Sequence, residues 1–592
     1  MSISFARIST KSAYNALTPV QDRLYFIEET GEQFLNGKPY NGNDGSRDWL
    51  CFTAGASSST VQLNKTSSQT PTISLEYSTD GINWTAYTWN NLTGATITLT
   101  NVGDKVYFRG DNSEFSKNTQ NHYEFAMSGT IYATGNIMSL ISKDCSKTAF
   151  NASNQRLTHL FKNCTSLVTP PRLPATTLCQ SVYYSMFEGC TSLAVAPELP
   201  ATDLGSAYTY SFMFQNCTSL TKAPDLPATT LINNCYNAMF KGCTSLAVAP
   251  DLPATTLANN CYQYMFQDCT SLVSIPARLP AKTMANYCYN AMFKGCSALQ
   301  KPPVLPATTL ADNCYSDMFA NTGLTEVCAL PATTLANSCY GGMFAGTKIT
   351  TVPANLLPAT TLVGYCYQWM FSGCSLLTIG CWLPATTLQQ NCYAHMYEGC
   401  TSLTDSESIS MTTFASGSCY KMFNGCTKLC RLKAPNFTSW DENATSQWLY
   451  GLSYQRRTFV CNASLDVSTR NENRIPEGWI PTRSAYGADA LVSKWNVSAN
   501  NFTFCPCDAE QDYLIINAND NYVYNAISLP SGYVGSAQGF VIWNPPYTSA
   551  TLTAGDGLTF IDTPKIGYMS RVLVTWDGWG NAELRVMWEK AL

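Results

Sequence analysis

One dipeptide, Met-Phe, returns through the middle of the chain every 25 to 27 residues. It stands at Met186-Phe187, Met213-Phe214, Met239-Phe240, Met265-Phe266, Met292-Phe293, Met318-Phe319, Met343-Phe344, Met370-Phe371 and Met422-Phe423. Met396-Tyr397 is a variant, and Leu160-Phe161 opens the series. Each unit reads roughly MFxGCTSLxxAPxLPATTLxxNCYxx, and LPATT or a close variant recurs from Leu173 to Thr387. A unit this short cannot bury its apolar side alone, so successive units must stack into a quasi-one-dimensional repeat array.

The unit from Leu257 to Leu272 shows the expected local structure. Leu257, Cys261 and Met265 fall at i, i+4 and i+8 with Tyr262 and Phe266 beside them, the pattern of an apolar helix face. Thr255 or Thr256 supplies an N-cap. Gly189 and Gly242, two positions after Met-Phe in sister units, suit a helix C′ site. Thr-Ser-Leu then leads into a brief strand that proline stops. The unit resembles the BspA-like leucine-rich repeat, a bacterial surface-protein repeat. That resemblance implies an α/β solenoid over residues 136–436, acting as a structural and binding scaffold.

The chain has 26 cysteines. One set lies four residues after Met (Cys190, Cys217, Cys243, Cys269, Cys296, Cys374, Cys400 and Cys426, with Cys164 in the opening unit). A second lies four before it (Cys235, Cys261, Cys288, Cys314, Cys339, Cys366 and Cys392). Stacking turns each set into an interior ladder. Thr322 and Thr347 replace cysteine in the first, which a small buried slot tolerates and an obligatory disulfide does not, so free thiols are expected. Paired zinc-ligand spacing is absent, and no metal or other cofactor is expected. The Cys505–Cys507 pair, with no second Cys or His pair nearby, reads as strand cysteines. The recurring LPATT lacks a following glycine and a membrane tail, so it is not read as a sortase signal.

The flanks have other patterns. Residues 1–46 hold Tyr14-Asn15-Ala16-Leu17-Thr18-Pro19 and DRLYFIEETGEQFLNGKPYNG, which predicts a hairpin from Leu24–Ile27 to Phe34-Leu35 across Thr30-Gly31. This run is similar to short N-terminal elements of bacteriophage tail and baseplate proteins, and so implies a virion-attachment arm. Residues 47–135 alternate with period two between turns at Asp80-Gly81 and Gly103-Asp104. They predict a β-sandwich similar to immunoglobulin-like modules. Asn136 to Leu140 is expected to cap the solenoid at one end, and residues 437–484 form a C-terminal cap or linker. Residues 485–592 predict an all-β domain. The fold class is thus multidomain α+β: an α/β leucine-rich-repeat solenoid between an N-terminal β-sandwich and a C-terminal all-β domain.

Chemistry finds little purchase. Histidine occurs three times, at His122, His159 and His395, in unrelated contexts, and no phosphate, nucleophile-elbow or metalloprotease motif is present. The acids Glu198, Asp225 and Asp251 follow proline in successive units and predict a solvated rim. An enzyme is not expected. Charged residues are only 13% of the chain and the net charge is −5, so no electrostatic footprint for nucleic acid exists. No stretch has the length and apolarity of a membrane span. The N-terminus lacks a signal-peptide pattern, which predicts folding in a cytosol.

Binding fits better. The two positions after each conserved Leu vary freely and predict an exposed strand face, with candidates Thr169, Lys222, Ser274, Lys301, Glu326 and Thr351. Trp543, Trp576 and Trp579 are candidates for sugar stacking, with buried sandwich aromatics as the alternative. The resemblances together imply a bacteriophage fibre, on tail or head, assembled in the host cytoplasm into the virion. Other virion proteins would be partners through the N-terminus, and a bacterial surface glycan or protein would be the adhesion target, with a trimer the fibre-like assembly. Alternatives are a bacterial surface adhesin, a purely architectural capsid decoration protein, and a polysaccharide depolymerase.

Overall fold

The computed structural model describes residues 48–150, 156–452 and 457–484 and, outside these, only the backbones of single strands. The chain divides into two compact units, Met1–Ile349 with Val363–Ser372, and Thr350–Leu362 with Gly373–Leu592.

The repeats contain no α-helix; among the described residues the one helical segment is the 3-10 turn Ile137–Leu140. The α/β expectation is therefore corrected: the architecture is nearly all β-strand and turn, with repeats. The reason lies in where the backbone N–H groups go. Cys261, Gln263, Met265, Gln267 and Cys269 donate to the carbonyls three residues back. The residues between them, Asn260, Tyr262, Tyr264, Phe266 and Asp268, donate to Asn286, Cys288, Asn290, Met292 and Lys294 of the next repeat. Half the donors close local turns and half knit one repeat to its neighbour. An α-helix would have kept them all inside the repeat.

The ribbon turns a corner every four residues through a left-handed backbone conformation, at Asn260 (φ 57°), Tyr264 (φ 57°) and Asp268 (φ 61°). No α-helix survives three such residues. The third corner is Asn163, Gly189, Asn216, Gly242, Asp268, Gly295, Asn321 and Gly346 in successive repeats, all at positive φ. Asn or Asp alternates with Gly for a steric reason. A Cβ on Gly242 would lie 2.3 Å from Asn216 Oδ1, and one on Gly295 would lie 2.3 Å from Asp268 Oδ1. Gly189 and Gly242 do occupy left-handed positions, but as ribbon corners and not helix ends. Gly242→Ala is expected to lower stability by about 1–2 kcal/mol. Asn216→Gly in the same chain should recover part of that loss, as denaturant titration would show. The threonines are likewise not caps. Thr256 bridges Thr230 in parallel, and Thr255 donates to the Thr229 carbonyl at 3.1 Å.

The corners aim an apolar pair inward every four residues: Cys261-Tyr262, then Met265-Phe266, then Cys269. Stacking aligns like with like. Phe161, Phe187, Phe214, Phe240, Phe266, Phe293, Phe319, Phe344 and Phe371 form one column with ring centroids 5.3–5.8 Å apart. The tyrosines from Tyr183 to Tyr367 form another at 5.6–5.9 Å. These rings bury large apolar area, and parallel offset stacking suits their quadrupoles.

In the first ladder Cys190, Cys217, Cys243, Cys269 and Cys296 are buried thiols. Cys190, Cys217, Cys243, Cys269 and Cys296 donate Sγ–H at 2.9–3.1 Å to the carbonyls of Phe161, Phe187, Phe214, Phe240 and Phe266 in the preceding repeats. Burial pushes the Cys269 thiol up to about 12, so it stays protonated and able to donate. Thr322 and Thr347 turn instead to the carbonyls of Phe319 and Phe344 in their own repeats, at 2.8 Å. Outside the ladders, Cys430 is disulfide-bonded.

Residues 48–150 form two main sheets and a small two-stranded one, Trp89–Asn90 with Thr93–Gly94. One has the order Ile97–Leu99, Ser59–Lys65, Tyr123–Ser128. The other runs Leu167–Thr169, Ile131–Thr134, Leu50–Ala54, Lys105–Arg109, Glu76–Ser78, Thr85–Ala86. Phe52, Phe108 and Phe125 pack between them. The first repeat grows directly from these sheets. Leu167–Thr169 pairs in parallel with Ile131–Thr134, and Phe125 stacks on Phe161 at 5.3 Å. Cys164 donates to the Phe125 carbonyl at 2.9 Å, so Phe125 acts as the rung before the first repeat. The expected capping segment contributes too: Ile137 donates to the Arg172 carbonyl at 3.1 Å.

At this junction His122 and His159 stack, centroids 4.4 Å apart, both buried. Burial, then the neighbouring His122 and Lys162, holds His159 far below its usual 6.5, at about 3. The unfolded chain therefore takes up a proton below pH 6.5 that the folded chain refuses until about pH 3. Stability is retained above 6.5 and is expected to fall by about 1.4 kcal/mol per pH unit through that window. His159→Asn, which suits the positive φ of 58°, should flatten the melting temperature's pH dependence there.

In the second unit the strands of successive repeats are explicit. Asp405–Ser408, Arg431–Ala434, Arg457–Asn462 and Trp479–Ser484 form a fully parallel sheet in that order. At the N-terminus, Arg23–Ile27 pairs antiparallel with Gln33–Leu35, the expected hairpin strands. Toward the C-terminus a six-stranded sheet runs from Lys494 to Ala591. No helix of the described residues is long and apolar enough to cross a membrane.

Candidate binding surface

In the middle repeats, prolines stop the strand early and leave isolated parallel bridges rather than long ladders. In the first unit these bridges link Val195 to Lys222, Lys222 to Val248 and Val248 to Ser274, so the four form one column along the stack. Lys222 and Ser274 are exposed, and Val248 is 55% exposed. Lys301 and Glu326 are exposed in the same unit, and Thr351 is exposed in the second. The free variation at these positions thus reflects their exposure.

Thr169 is the exception and is corrected. It is buried, with Oγ1 donating to the Ala133 carbonyl at 2.9 Å. Its repeat is the first, so the strand Ile131–Thr134 covers the position that solvent reaches from Lys222 onward, Val195 of the second repeat being buried as well. Trp579 lies outside the described residues, and of Trp543 and Trp576 only the strand backbones are described. Cys505 and Cys507 also lie outside.

The acidic row Glu198, Asp225 and Asp251 is exposed, as a solvated rim should be. Among the described residues no three His, Cys, Asp or Glu side chains converge as a metal site would require. His395 pairs through Nδ1 with Glu398 Oε2 at 2.6 Å and meets Tyr420 edge-on.

A second exposed feature was missed from sequence: a ladder of asparagines on the turn ribbon. The Oδ1 atoms of Asn233, Asn259 and Asn286 accept the backbone N–H groups of Asn259, Asn286 and Asp312 at 3.1–3.2 Å. Asp312 Oδ1 in turn accepts from Asn337 at 3.0 Å. The repeated Asn two places before each Cys-Tyr carried the clue. Four residues further along, Asn237, Gln263 and Asn290 pass amide hydrogen bonds from repeat to repeat at 2.9–3.1 Å.

Comparison with known families agrees with this periodicity. The model of the BspA type leucine rich repeat region matches residues 157–300 and 207–345, with six copies. No curated protein matches the chain.

Proposed function

We propose, from the premise that residues 157–345 are BspA-type leucine-rich repeats, that this is a surface-displayed adhesion scaffold, specifically a bacteriophage fibre or appendage protein. In this reading the repeats build a solenoid, and the N-terminal arm joins it to other virion proteins. The repeat surface then meets the bacterial envelope as a homo-oligomer, by weak contacts multiplied through avidity. The observation that carries the adhesion reading is the fixed interior beneath a freely varying exposed column. Phe, Tyr and Cys repeat almost without change inside, while Lys222, Val248 and Ser274 share one outer column with no residue type in common. The phage setting is supported by the N-terminal resemblance, through Tyr14 to Pro19 and the paired strands that follow.

The bacterial surface adhesin is the second reading, favoured by the family match itself. Mass spectrometry of purified virions separates the two: the fibre reading expects the chain among the structural proteins, and its absence there overturns the phage setting. For adhesion, the folded full chain is expected to sediment with bacterial envelope fractions. Failure to bind any fraction while folded overturns the adhesion reading.

A further inference from the structure

The asparagine ladder leaves one half of each amide unused. Because Oδ1 of Asn233, Asn259 and Asn286 accepts a backbone N–H from the next repeat, the oxygen end is fixed and each Nδ2 group faces away from that bond. All three side chains are exposed. The result is a row of donors, one per repeat, held in place before any ligand arrives. Preorganisation of this kind removes the ordering cost that a free surface amide would incur on binding.

Beside this column runs a second, the first corner of each ribbon: Tyr208, Asn234, Asn260 and Tyr287, all at positive φ. Tyr208 is 41% exposed and Tyr287 40% exposed, an unusual placement for large rings whose sister tyrosines are buried in the stack. The left-handed corner forces them outward. The strip thus carries Ala207-Tyr208, Asn233-Asn234, Asn259-Asn260 and Asn286-Tyr287 in four successive repeats, without a charged residue.

We propose that this amide–tyrosine strip of the turn ribbon, and not the strand column, is the adhesive surface, and that its ligand is a neutral polysaccharide. Sugar rings stack on tyrosine faces, and hydroxyl oxygens accept from fixed amide donors. An uncharged strip has no attraction for a polyanion, and the flat repetition of one donor per repeat matches a polymer of like units. The proposal rests on the adhesion reading of the same repeats but commits to one face and one chemistry.

The ladder supplies its own control. Asp312 already stands in the series and accepts the Asn337 N–H as an asparagine would. Asn→Asp at 233, 259 and 286 therefore keeps the structural bond and replaces each outward donor with a charged acceptor, which cannot donate to a hydroxyl oxygen. The full chain is passed over immobilised dextran, mannan and xylan as neutral probes, and hyaluronate as the anionic one. Retention on at least one neutral probe is expected. It should fall at least about tenfold in Tyr208→Ala/Tyr287→Ala and in the triple Asn→Asp variant, with circular dichroism and melting temperature close to the parent's. Three results overturn the proposal: no retention on any neutral probe, preference for hyaluronate, or undiminished retention in both folded variants. If the chain still sediments with envelope fractions in any of these cases, adhesion stands and this strip is not its seat.

Discussion

Replacing Phe266 with alanine is expected to destabilise the first unit by about 3–5 kcal/mol. Phe266 is fully buried between Phe240 and Phe293, at 5.5 and 5.6 Å. Its carbonyl accepts the Cys296 thiol at 3.0 Å and its own N–H reaches Met292. Removing the ring empties a slot that the neighbours cannot close, since each is held at its own height by bonds to both adjacent repeats. A repeat array is stabilised by nearest-neighbour contacts, so a weak joint also breaks cooperativity. Denaturant unfolding of the variant should show a second, earlier transition. Phe266→Leu, which keeps most of the volume, should cost far less.

The second unit depends on a different element. Asp405 is buried and pairs with the equally buried Arg431 through Nε at 2.7 Å, with Lys433 Nζ at 3.2 Å. Arg431 and Asp405 are register partners on adjacent parallel strands. Asp405→Ala would strand two cations against the sheet, and loss of one partner from a buried pair costs about 3–5 kcal/mol. Urea titration of the full chain should lose that stability chiefly in the second unit. Replacing Asp405 and Arg431 together by apolar residues should cost less than Asp405→Ala alone, because only Lys433, the more exposed of the two cations, then loses its partner.

These two cases mark what was legible in the residues and what was not. The period, the interior cysteines and the exposure of Lys222, Ser274, Lys301, Glu326 and Thr351 could all be read from spacing. Most of the buried face could be read as well, since Cys261 and Met265 turn inward with Tyr262 and Phe266, while Leu257 is only half-buried. The helix could not, although the residues held the clue. Leu257, Cys261, Met265 and Cys269 keep a strict spacing of four over twelve residues. On an α-helix each such step overshoots by about 40°, so the ends of the set would sit roughly 120° apart. A ribbon with a corner every four residues keeps them in line, and the Asn, Asp and Gly at 260, 268 and 295 are the residues that left-handed corners favour. Thr169 failed for another reason: only the fold shows that the strand Ile131–Thr134 lies over the first repeat. The asparagine ladder was missed because its bonds join residues 25 to 27 apart, so the repeated Asn before each Cys-Tyr meets its partner only once the repeats stack.

The outward tyrosines, the fixed amides and the interior columns all depend on the turn ribbon. Far-UV circular dichroism of the purified full chain tests it most directly. A spectrum of strands and turns with almost no helical double minimum is expected. A strong helical double minimum, as one helix in each of the repeats would produce, would contradict it.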